Sequence, residues 1–514
     1  MQNGITAYPD PLKPAENPEL VFALVGPLGV NLQVIIDALS DELKKMNYTC
    51  IEIRLSSLLR NLNAFKTLAV SPEDTRIEQH MKAGTDLRRI LKRSDALALL
   101  AIASIKERRT KISANKHNTP MRSTAFILRS LKRQEELDTL RKVYGSSLFI
   151  VSCYAPRDKR VNTLAAFIAK SHHDFNEQHY KEVAEHLINI DQHEEEESFG
   201  QRVVNVFPLA DFFVTDSTMK NVSDSLKRFV EMIFGYPFHT PSKDEFGMFQ
   251  ARAVALQSSD LSRQVGAAVL TKHNDLLAVG CNEVPKAHGG LYWATDNDHR
   301  DFQKGYDPST KIKNEILAEI LQRLKNASWL KEDFSGIQPH EILDTIVNGE
   351  LEEKMKGAQV LQLLEFGRIV HAEMAALMDA TRRGVSVLGC TLYCTTFPCH
   401  MCARHIVAAG ISEVVYIEPY PKSMASRLYS DSIRVDSDEI SNNFINFRSF
   451  QGVSPRRYLE LFDMPQRKTK LGDVVRWHPG DAKPRIKLYE LSYLSMETNL
   501  VLFLQTQLKQ NNVS

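Results

Sequence analysis

Two short motifs constrain the fold of this chain more than any other feature of its sequence. The first is an H-x-E motif at His371 and Glu373, and the second is a P-C-x-x-C motif at Pro398, Cys399 and Cys402. One imidazole and two thiolates provide three ligands for a tetrahedral Zn²⁺ ion and leave the fourth position open for water. The sequence therefore predicts a fold in which two separate segments meet at one metal ion.

The carboxylate of Glu373 is not needed as a ligand and would lie beside that water. This arrangement is expected of a hydrolytic deaminase that acts on cytosine or adenine. A C-x-x-C motif can also be a redox pair or half of a structural zinc site. A structural site needs a fourth ligand at regular spacing, whereas the nearby candidates are Cys390 and Cys394 on a predicted strand and His400 and His405 on a predicted helix. We therefore favour a catalytic zinc site.

Local signals place both motifs at the starts of helices. Pro398 suits a first helical turn and Gly410 a C-terminal cap, which predicts a helix over 399–409. A second helix is predicted over 371–383, so the two helices should meet end-on at the metal. Strand-like runs at 265–270, 276–280, 391–396 and 413–417 complete a β-β-α-β-α-β order.

Five segments carry a resemblance to a known family. They are RQVGAAVL, GCNEVP, HAEM, CTTFPCHMCARHIVAAGI and YIEPYPKS, and they resemble the deoxycytidylate deaminase family over roughly residues 245–440. The phrase around the cysteines, together with EFGRIVHAEM, is similar to that of the bacterial anti-phage dCTP/dCMP deaminases, which have an N-terminal P-loop kinase-like domain.

The resemblance implies residue roles, an activity and partners. It implies that His371, Cys399 and Cys402 hold zinc, that Glu373 carries protons, and that Asn282 hydrogen-bonds the sugar 3′-hydroxyl. The implied reaction converts dCTP or dCMP to the uracil nucleotide and ammonia, which would deplete the cytidine nucleotide pool during phage infection. The family also implies a homo-oligomer, a response to an allosteric nucleotide, and restraint by an inhibitory non-coding RNA.

Length and composition bound the remaining possibilities. A chain of 514 residues is too long for one typical core and predicts two or three domains. The net charge of +1 gives no basic excess for holding a polynucleotide, which favours a small-molecule substrate. Seven clustered cysteines, no apolar leader and no membrane-length apolar run predict a soluble, cytoplasmic protein without membrane contact.

The pattern of predicted elements changes near residue 240. Before it, strands predicted at 19–25, 49–55, 124–128, 148–154 and 203–207 alternate with helices, which is typical of a doubly wound α/β domain. We therefore predict a P-loop kinase-like regulatory domain over 1–240 and a zinc-dependent deaminase domain of the α/β/α type over 241–514. The second domain would include an insertion at 286–370 and a C-terminal extension at 440–514.

The first predicted strand is followed by a glycine loop from Gly26 to Asn31. Aligned with the P-loop motif G-x-x-x-x-G-K-[ST], the chain has Asn31, Leu32 and Gln33 where the motif has glycine, lysine and Ser/Thr. Gly26, Gly29 and Asn31 could still hold an anion at the helix N-terminus. Without the lysine we do not expect phosphoryl transfer, and both nucleotide sensing and a purely structural role remain open.

Residues around the sheet edge are predicted to contact the substrate phosphates. Arg263 precedes the first strand of the metal domain, and Tyr420 and Lys422 follow the strand after the metal helix, where open α/β sheets bind ligands. Ser258 is a further candidate for contact with the phosphates. The 286–370 insertion contains no cysteine, so a second zinc is not expected there, and an oligomer interface or a lid fits better.

Three function classes follow. The first is a free-nucleotide deaminase, the second a polynucleotide cytosine deaminase, and the third a non-catalytic nucleotide sensor. The neutral net charge disfavours the second class, and the presence of Glu373 disfavours the third.

Overall fold

The structure is a computed structural model. It describes residues 15–112, 120–192, 194, 197–216, 218–331, 336–349, 351, 355, 358–420, 423–437, 443–464, 466–486 and 490–513. The chain divides into two compact units. The first unit is Met1–Glu245 together with Ser449–Ser514, and the second unit is Phe246–Arg448.

The first unit is built on a parallel sheet. Its strands are β1 (Leu20–Val25), β2 (Thr49–Arg54), β3 (Thr124–Arg129), β4 (Leu148–Tyr154) and β5 (Phe212–Thr215), in the order β5-β4-β1-β3-β2. All four pairings between these strands are parallel. β1 is an unbroken apolar run with every residue buried, as expected for a strand covered on both faces.

Helices connect these strands. The long ones are α1 (Leu32–Lys45), α2 (Glu73–Leu91), α3 (Ala96–Ile112), α4 (Gln134–Tyr144), α5 (Arg157–Ser171), α6 (Lys181–Gln192) and α7 (Met219–Ile233). Short helices lie at Leu55–Leu58 and Val203–Val206, and 3₁₀ turns at Leu59–Asn61, Asn63–Phe65, Gly145–Ser147, Glu177–Tyr180 and Phe207–Leu209. The α/β class predicted for this part of the chain is confirmed.

One predicted strand was wrong. The apolar run at 203–207 forms a short helix and a 3₁₀ turn, and the fifth parallel strand is Phe212–Thr215 instead. Pro208 lies inside the 3₁₀ turn, and a proline cannot donate a hydrogen bond to a sheet ladder. The chain therefore begins pairing with β4 only after this proline.

The second unit has a mixed six-stranded sheet. Its strands are β6 (Gly266–Leu270), β7 (Leu276–Cys281), β8 (Thr391–Thr396), β9 (Glu413–Glu418), β10 (Ile433–Val435) and β11 (Ile445–Ser449), in the order β10-β11-β9-β8-β6-β7. β6 is antiparallel to β7 and β8, whereas β8 and β9 are parallel.

The helices of this part of the chain complete the predicted β-β-α-β-α-β order. They are α8 (Lys243–Ala255), α9 (Pro308–Asn326), α10 (Pro339–Val347), α11 (Ala372–Arg382) and α12 (His400–Ala408), with short helices at Asp301–Lys304 and Ala425–Leu428 and a 3₁₀ turn at Gln359–Gln362. α11 precedes β8, and α12 connects β8 to β9. The predicted strand and helix order is confirmed, and α9 and α10 lie in the predicted insertion.

β7 and α11 approach each other closely at Gly280. A Cβ atom there would lie 2.3 Å from the backbone nitrogen of Ala376 and 2.6 Å from the carbonyl oxygen of Ala372. Real Cβ atoms do not approach backbone this closely, so only glycine fits. This contact fixes α11, which begins directly after His371, against the sheet.

The C-terminal segment corrects the predicted domain boundary. We expected 440–514 to extend the second domain, but the structure groups Ser449–Ser514 with the first unit. β12 (Gly452–Val453) pairs antiparallel with β5, and the chain continues through a short helix at Tyr458–Phe462 and a 3₁₀ turn at Pro479–Asp481 to α13 (Glu490–Gln510). The reason is the open edge of β5, which the returning chain covers.

A buried ion network ties α13 into the first unit. The guanidinium of Arg109 lies 2.8 Å from a carboxylate oxygen of Glu19 and 2.6 Å from one of Glu497. Tyr493 on α13 also donates to Glu19 at 3.0 Å.

Among the residues described, no helix combines the length and apolar character required to cross a bilayer.

Candidate metal centre and its cavity

His371 is positioned by the end of β7. Glu283 and Val370 exchange two backbone hydrogen bonds, of 3.2 and 3.1 Å, shortly after β7 ends. This bridge brings the chain to His371, which is the N-cap residue of α11 with extended φ and ψ angles of −66° and 154°. The imidazole therefore lies at the helix start, and Glu373 lies in the first turn.

The cysteines are positioned in the same way by the end of β8. The amide of Phe397 donates to the carbonyl of Glu418 at 2.7 Å, which keeps β8 and β9 paired up to the motif. Cys399 is the N-cap residue of α12, with φ and ψ angles of −69° and 166°, and Cys402 lies in the first turn. Both helices thus begin at the same place, and the predicted end-on meeting is confirmed.

The three predicted ligands converge. The Nδ1 atom of His371 lies 3.3 Å from the Sγ atom of Cys399 and 3.4 Å from that of Cys402. Their ligand atoms all lie within 4.8 Å of one another, and within the described part of the chain no other His, Cys, Asp or Glu group of this kind was found. One imidazole and two thiols at this spacing fit the donor set and size of a zinc ion.

Protons are shared unequally within the cluster. The hydrogen bond from Cys402 and the neighbouring imidazole lower the pKa of Cys399 to about 4. That same hydrogen bond, together with burial, raises the pKa of Cys402, while the bond to Cys399 raises the pKa of His371 to about 8. A cation bound here would replace protons that the three groups otherwise share.

Glu373 is a buried carboxylate beside the cluster. Only 4% of its surface is exposed, and it lines the same cavity as His371 and Cys399. Burial, and then the negative charge of Cys399, raise its pKa above the usual range. A carboxylate with this environment is suited to taking and returning protons.

Two residues of the cluster, His371 and Cys399, line a cavity of about 250 Å³. This volume is close to the lower end of the range for small-molecule sites. Several lining residues were not predicted from the sequence, namely Asp260, Ser262, Val265, Leu364, Thr396 and Phe397. Thr396 and Phe397 directly precede the P-C-x-x-C motif and could have been found, whereas Leu364 belongs to the insertion and gave no signal.

Asn282 lines the cavity, as its predicted role requires. Its Nδ2 atom donates to Asp260 at 3.0 Å and to the carbonyl of Arg263 at 2.8 Å, and its Oδ1 atom accepts from the amide of Val265 at 2.7 Å. The side chain therefore holds the 260–265 loop in place. What remains for a ligand is the second lone pair of Oδ1, which can accept a hydrogen bond from a hydroxyl.

Arg263 and Tyr420 lie together in the lining of this cavity. The Arg263 guanidinium lies 2.7 Å from a carboxylate oxygen of Glu418, and its carbon lies 5.4 Å from the centre of the Tyr420 ring. Roughly two fifths of the Arg263 side chain is exposed, at 42%. The arginine can therefore reach a ligand by leaving Glu418.

The other two phosphate assignments gain no support. Ser258 is only 5% exposed, does not line the cavity, and accepts a hydrogen bond from the amide of Asp260 at 3.2 Å. Its role is to shape the loop that contains Asp260. Lys422 lies outside the described residues.

The glycine loop of the first unit differs from the predicted anion site. The amide of Leu28 donates to Asp191 at 2.7 Å, and the amide of Asn31 donates to Asp216 at 3.2 Å. Two of the loop amides are thus bonded to carboxylates of the protein itself. Because those carboxylates would repel a phosphate, the structure argues against phosphate binding by this loop.

The two glycines of this loop have steric roles. Gly29 has a φ of +91°, and a Cβ atom there would lie 2.5 Å from the carbonyl oxygen of Arg160. A Cβ atom at Gly26 would lie 2.8 Å from the side chain of Leu32. Both glycines are explained by packing without any ligand.

Comparison with known proteins identifies the metal region. Residues 241–418 match the family model described as "Cytidine and deoxycytidylate deaminase zinc-binding region". These residues are therefore similar to that zinc-binding region. His371, Glu373, Cys399 and Cys402 all lie within the matched range.

Individual curated relatives also match part of the chain. The deoxycytidylate deaminase of Enterobacteria phage T2 is 37% identical over 87 residues, which is 16% of this chain and 45% of that protein. The human deoxycytidylate deaminase is 33% identical over 84 residues, which is 16% of this chain and 42% of that protein. The chain thus spans less than half the length of these curated relatives.

A solved structure was also found. The dCMP deaminase from the cyanophage S-TIM5 in its apo form is 16% identical, and the match covers 41% of this chain and 99% of that one with a TM-score of 0.22. A TM-score this low supports no argument about this chain.

Proposed function

We propose that the second unit catalyses zinc-dependent hydrolytic deamination of deoxycytidine nucleotides, converting dCMP to dUMP and ammonia and accepting dCTP as a further substrate. The observation that carries this proposal is the cluster of His371, Cys399 and Cys402 beside a cavity that His371, Cys399 and Glu373 line. The matched deaminase region and the curated relatives named deoxycytidylate deaminase support it.

In the proposed reaction the metal-binding residues and Glu373 have different roles. A zinc ion held by His371, Cys399 and Cys402 would supply a water whose pKa is lowered to about 7. Glu373 takes a proton from the attacking water and delivers it to N3 of cytosine while the water oxygen bonds to C4. Glu373 then takes the second proton of the former water from the hydroxyl group on C4 and passes it to the exocyclic amine. The bond from C4 to that nitrogen breaks, and ammonia leaves.

Substrate orientation would come from the 260–265 loop and the end of β9. Asn282 accepts a hydrogen bond from the sugar 3′-hydroxyl through its free lone pair, and Arg263 exchanges Glu418 for a substrate phosphate. Tyr420 holds the guanidinium in place by stacking beneath it.

The same proposal assigns regulation to the first unit. The chain has Leu32 where a P-loop has its phosphate-binding lysine, which supports a unit that does not transfer phosphate. Depletion of the cytidine nucleotide pool in anti-phage defence, restraint by a non-coding RNA and homo-oligomerisation complete the proposal, and they rest on the sequence resemblance alone.

The test is a substrate panel with the full-length protein. Zinc-loaded protein is incubated separately with dCMP, dCTP, deoxycytidine, dAMP and a cytosine-containing oligonucleotide, and base conversion and ammonia are measured. We expect conversion of dCMP and dCTP, with the oligonucleotide and dAMP unchanged. Conversion of the oligonucleotide alone would make the protein a polynucleotide deaminase and overturn the proposal.

Glu373→Gln is the matched variant. It keeps the shape of the side chain and removes its ability to carry protons, so turnover should fall by about 100-fold or more. Zinc content should stay near one ion per chain, because Glu373 is not among the three clustered ligands. A variant that binds zinc and retains more than about a tenth of the activity would assign proton transfer to another group.

A further inference from the structure

A second cavity lies in the first unit, at the carboxyl ends of three parallel strands. Its volume is about 290 Å³. Arg54 ends β2 and Arg129 ends β3, and the loop that follows β1 completes this side of the lining. Ligands of open parallel sheets bind at this end of the strands.

Arginines are concentrated in this lining, and their charges are not fully balanced. Arg76 is paired with Glu73, and Arg129 lies 3.5 Å from Glu52. Arg54 forms no ion pair or side-chain hydrogen bond with any other described residue. Partial burial and then the positive charges of Arg76 and Arg129 lower the pKa of Arg54, while the charges of Glu73 and Glu52 oppose that change.

The carboxylates of the glycine loop are bonded to other groups. Asp191, which also lines the cavity, is bonded to the Leu28 amide and to Lys132, whose Nζ atom lies 2.7 Å away. Asp216 is bonded to the Asn31 amide. Neither carboxylate is paired with Arg54 or Arg129.

The rest of the lining is part polar and part apolar. Ser56, His80 and Gln201 are polar, whereas Leu55, Leu59, Ile77, Met81 and Phe167 supply an apolar wall. A ligand that suits the whole cavity has an anionic end and a flat, weakly polar body. A nucleoside monophosphate has both.

We propose that this cavity binds a nucleoside monophosphate, with the phosphate held by Arg54 and Arg129 at the ends of β2 and β3 and the base against the apolar wall. The glycine loop takes no part in phosphate binding. Arginine forks suit phosphate oxygens, because each guanidinium can donate two parallel hydrogen bonds. This site is separate from the metal centre and does not depend on the function proposed for it.

The test measures binding of dAMP, deoxyadenosine and inorganic phosphate to the full-length, zinc-loaded protein by calorimetry and thermal unfolding. Arg54→Gln is the main variant, and Arg129→Gln is the second. Arg108→Gln is the matched control, since Arg108 is exposed and outside the cavity lining. dAMP should raise the Tm of the wild type and the control, and deoxyadenosine should bind at least about 10-fold more weakly than dAMP.

Ligand affinity and ligand-free stability should change in different directions in Arg54→Gln, whereas replacing a purely structural arginine would lower both. Arg54→Gln should weaken dAMP binding at least about 10-fold, yet its ligand-free Tm should equal or exceed that of the wild type because a partly buried charge without an ion pair is gone. Unchanged dAMP affinity in both Arg54→Gln and Arg129→Gln would place binding elsewhere and reject the site. Failure of the wild type to bind dAMP, or equal affinity for dAMP and deoxyadenosine, would also reject it.

Discussion

At the scale of single residues, the two cysteines of the metal cluster are neighbours with different environments. Cys399 is the N-cap residue of α12, whereas Cys402 is completely buried within its first turn. The pKa of Cys399 is lowered and that of Cys402 is raised. Both are needed as ligands, because His371 with a single thiolate leaves too few donors for a tetrahedral zinc site with one open position.

Cys402→Ala should remove the metal. We expect zinc content, measured by elemental analysis after dialysis, to fall from about one ion per chain to nearly none, with activity lost in parallel. Cys390→Ala is the control, because Cys390 is also a buried cysteine of this unit but is not in the cluster. Stoichiometric zinc in Cys402→Ala would contradict the ligand assignment.

Arg263 and Glu418 make a second prediction at this scale. Arg263→Gln should raise the KM for dCMP at least several-fold more than the KM for deoxycytidine, because only dCMP has a phosphate. Glu418→Gln should lower the KM for dCMP, since it frees the guanidinium that Glu418 now holds at 2.7 Å. Steady-state kinetics with both substrates checks this, and equal effects on the two substrates would remove Arg263 from phosphate binding.

The sequence could predict that His371, Cys399 and Cys402 cluster, because zinc chemistry requires particular side chains at fixed spacings and these residues satisfy them locally. It could not predict which neighbouring loop residues face the cavity. Ser258 and Asp260 are two positions apart, yet only Asp260 lines the cavity. That difference depends on Asn282 and Glu283, which bond to this loop from the end of β7.

At the scale of secondary-structure elements, the site depends on how closely β7 and α11 pack. The order of strands and helices in the second unit could be predicted, because apolar runs and helix-capping residues are local signals. The strand predicted at 203–207 in the first unit was wrong because local signals do not decide there. An apolar run of that length suits a helix or a strand. The outcome depends on pairing with β4, and β4 pairs with Phe212–Thr215 further along the chain.

Gly280→Ala tests this packing. The added methyl group would meet the backbone of Ala372 and Ala376, so α11 has to move or β7 has to bend. We expect a loss of about 1–3 kcal/mol in the free energy of unfolding and weaker zinc binding, because α11 begins at His371. Chemical denaturation and competition with a zinc chelator measure these two effects.

Gly367→Ala is the matched control for that variant. The nearest atom to a Cβ at Gly367 is 3.9 Å away, which is ordinary contact. Its unfolding free energy and zinc affinity should stay near those of the wild type. Equal behaviour of the two variants would show that the close approach at Gly280 does not position the metal ligands.

At the scale of the whole chain, the C-terminal segment completes the first unit. This could not be predicted, because the pairing of β12 with β5 and of Glu497 with Arg109 joins residues that are hundreds of positions apart. Arg109 has two buried carboxylate partners, Glu19 and Glu497. Burial raises the pKa of Glu19, although the charge of Arg109 opposes that change.

Arg109→Met should therefore destabilise the protein strongly. It leaves two buried carboxylates without their shared cation, and the loss should be about 3–5 kcal/mol in the free energy of unfolding. Glu497→Gln leaves a neutral pair and should cost less than half of that. Arg108→Met, at the exposed neighbouring position, is the control and should change little.

The pH dependence of the same variant has a definite sign. Without Arg109, the pKa of Glu19 in the folded protein should rise further above its value in the unfolded chain. Stability is then retained at low pH and lost as the pH rises through the folded pKa. The difference from the wild type should shrink between about pH 8 and about pH 5, and a difference that grows on acidification would contradict this account.

The discontinuity of the first unit also has a consequence for synthesis on the ribosome. All of Phe246–Arg448 is translated before Gly452 and Val453, which cover β5, and before Glu497, which reaches Arg109. A nascent chain that has just passed Arg448 therefore contains all three residues of the metal cluster but an unfinished first unit. If the cluster binds zinc as proposed, the second unit could take up the ion before β12 and α13 have joined the first unit.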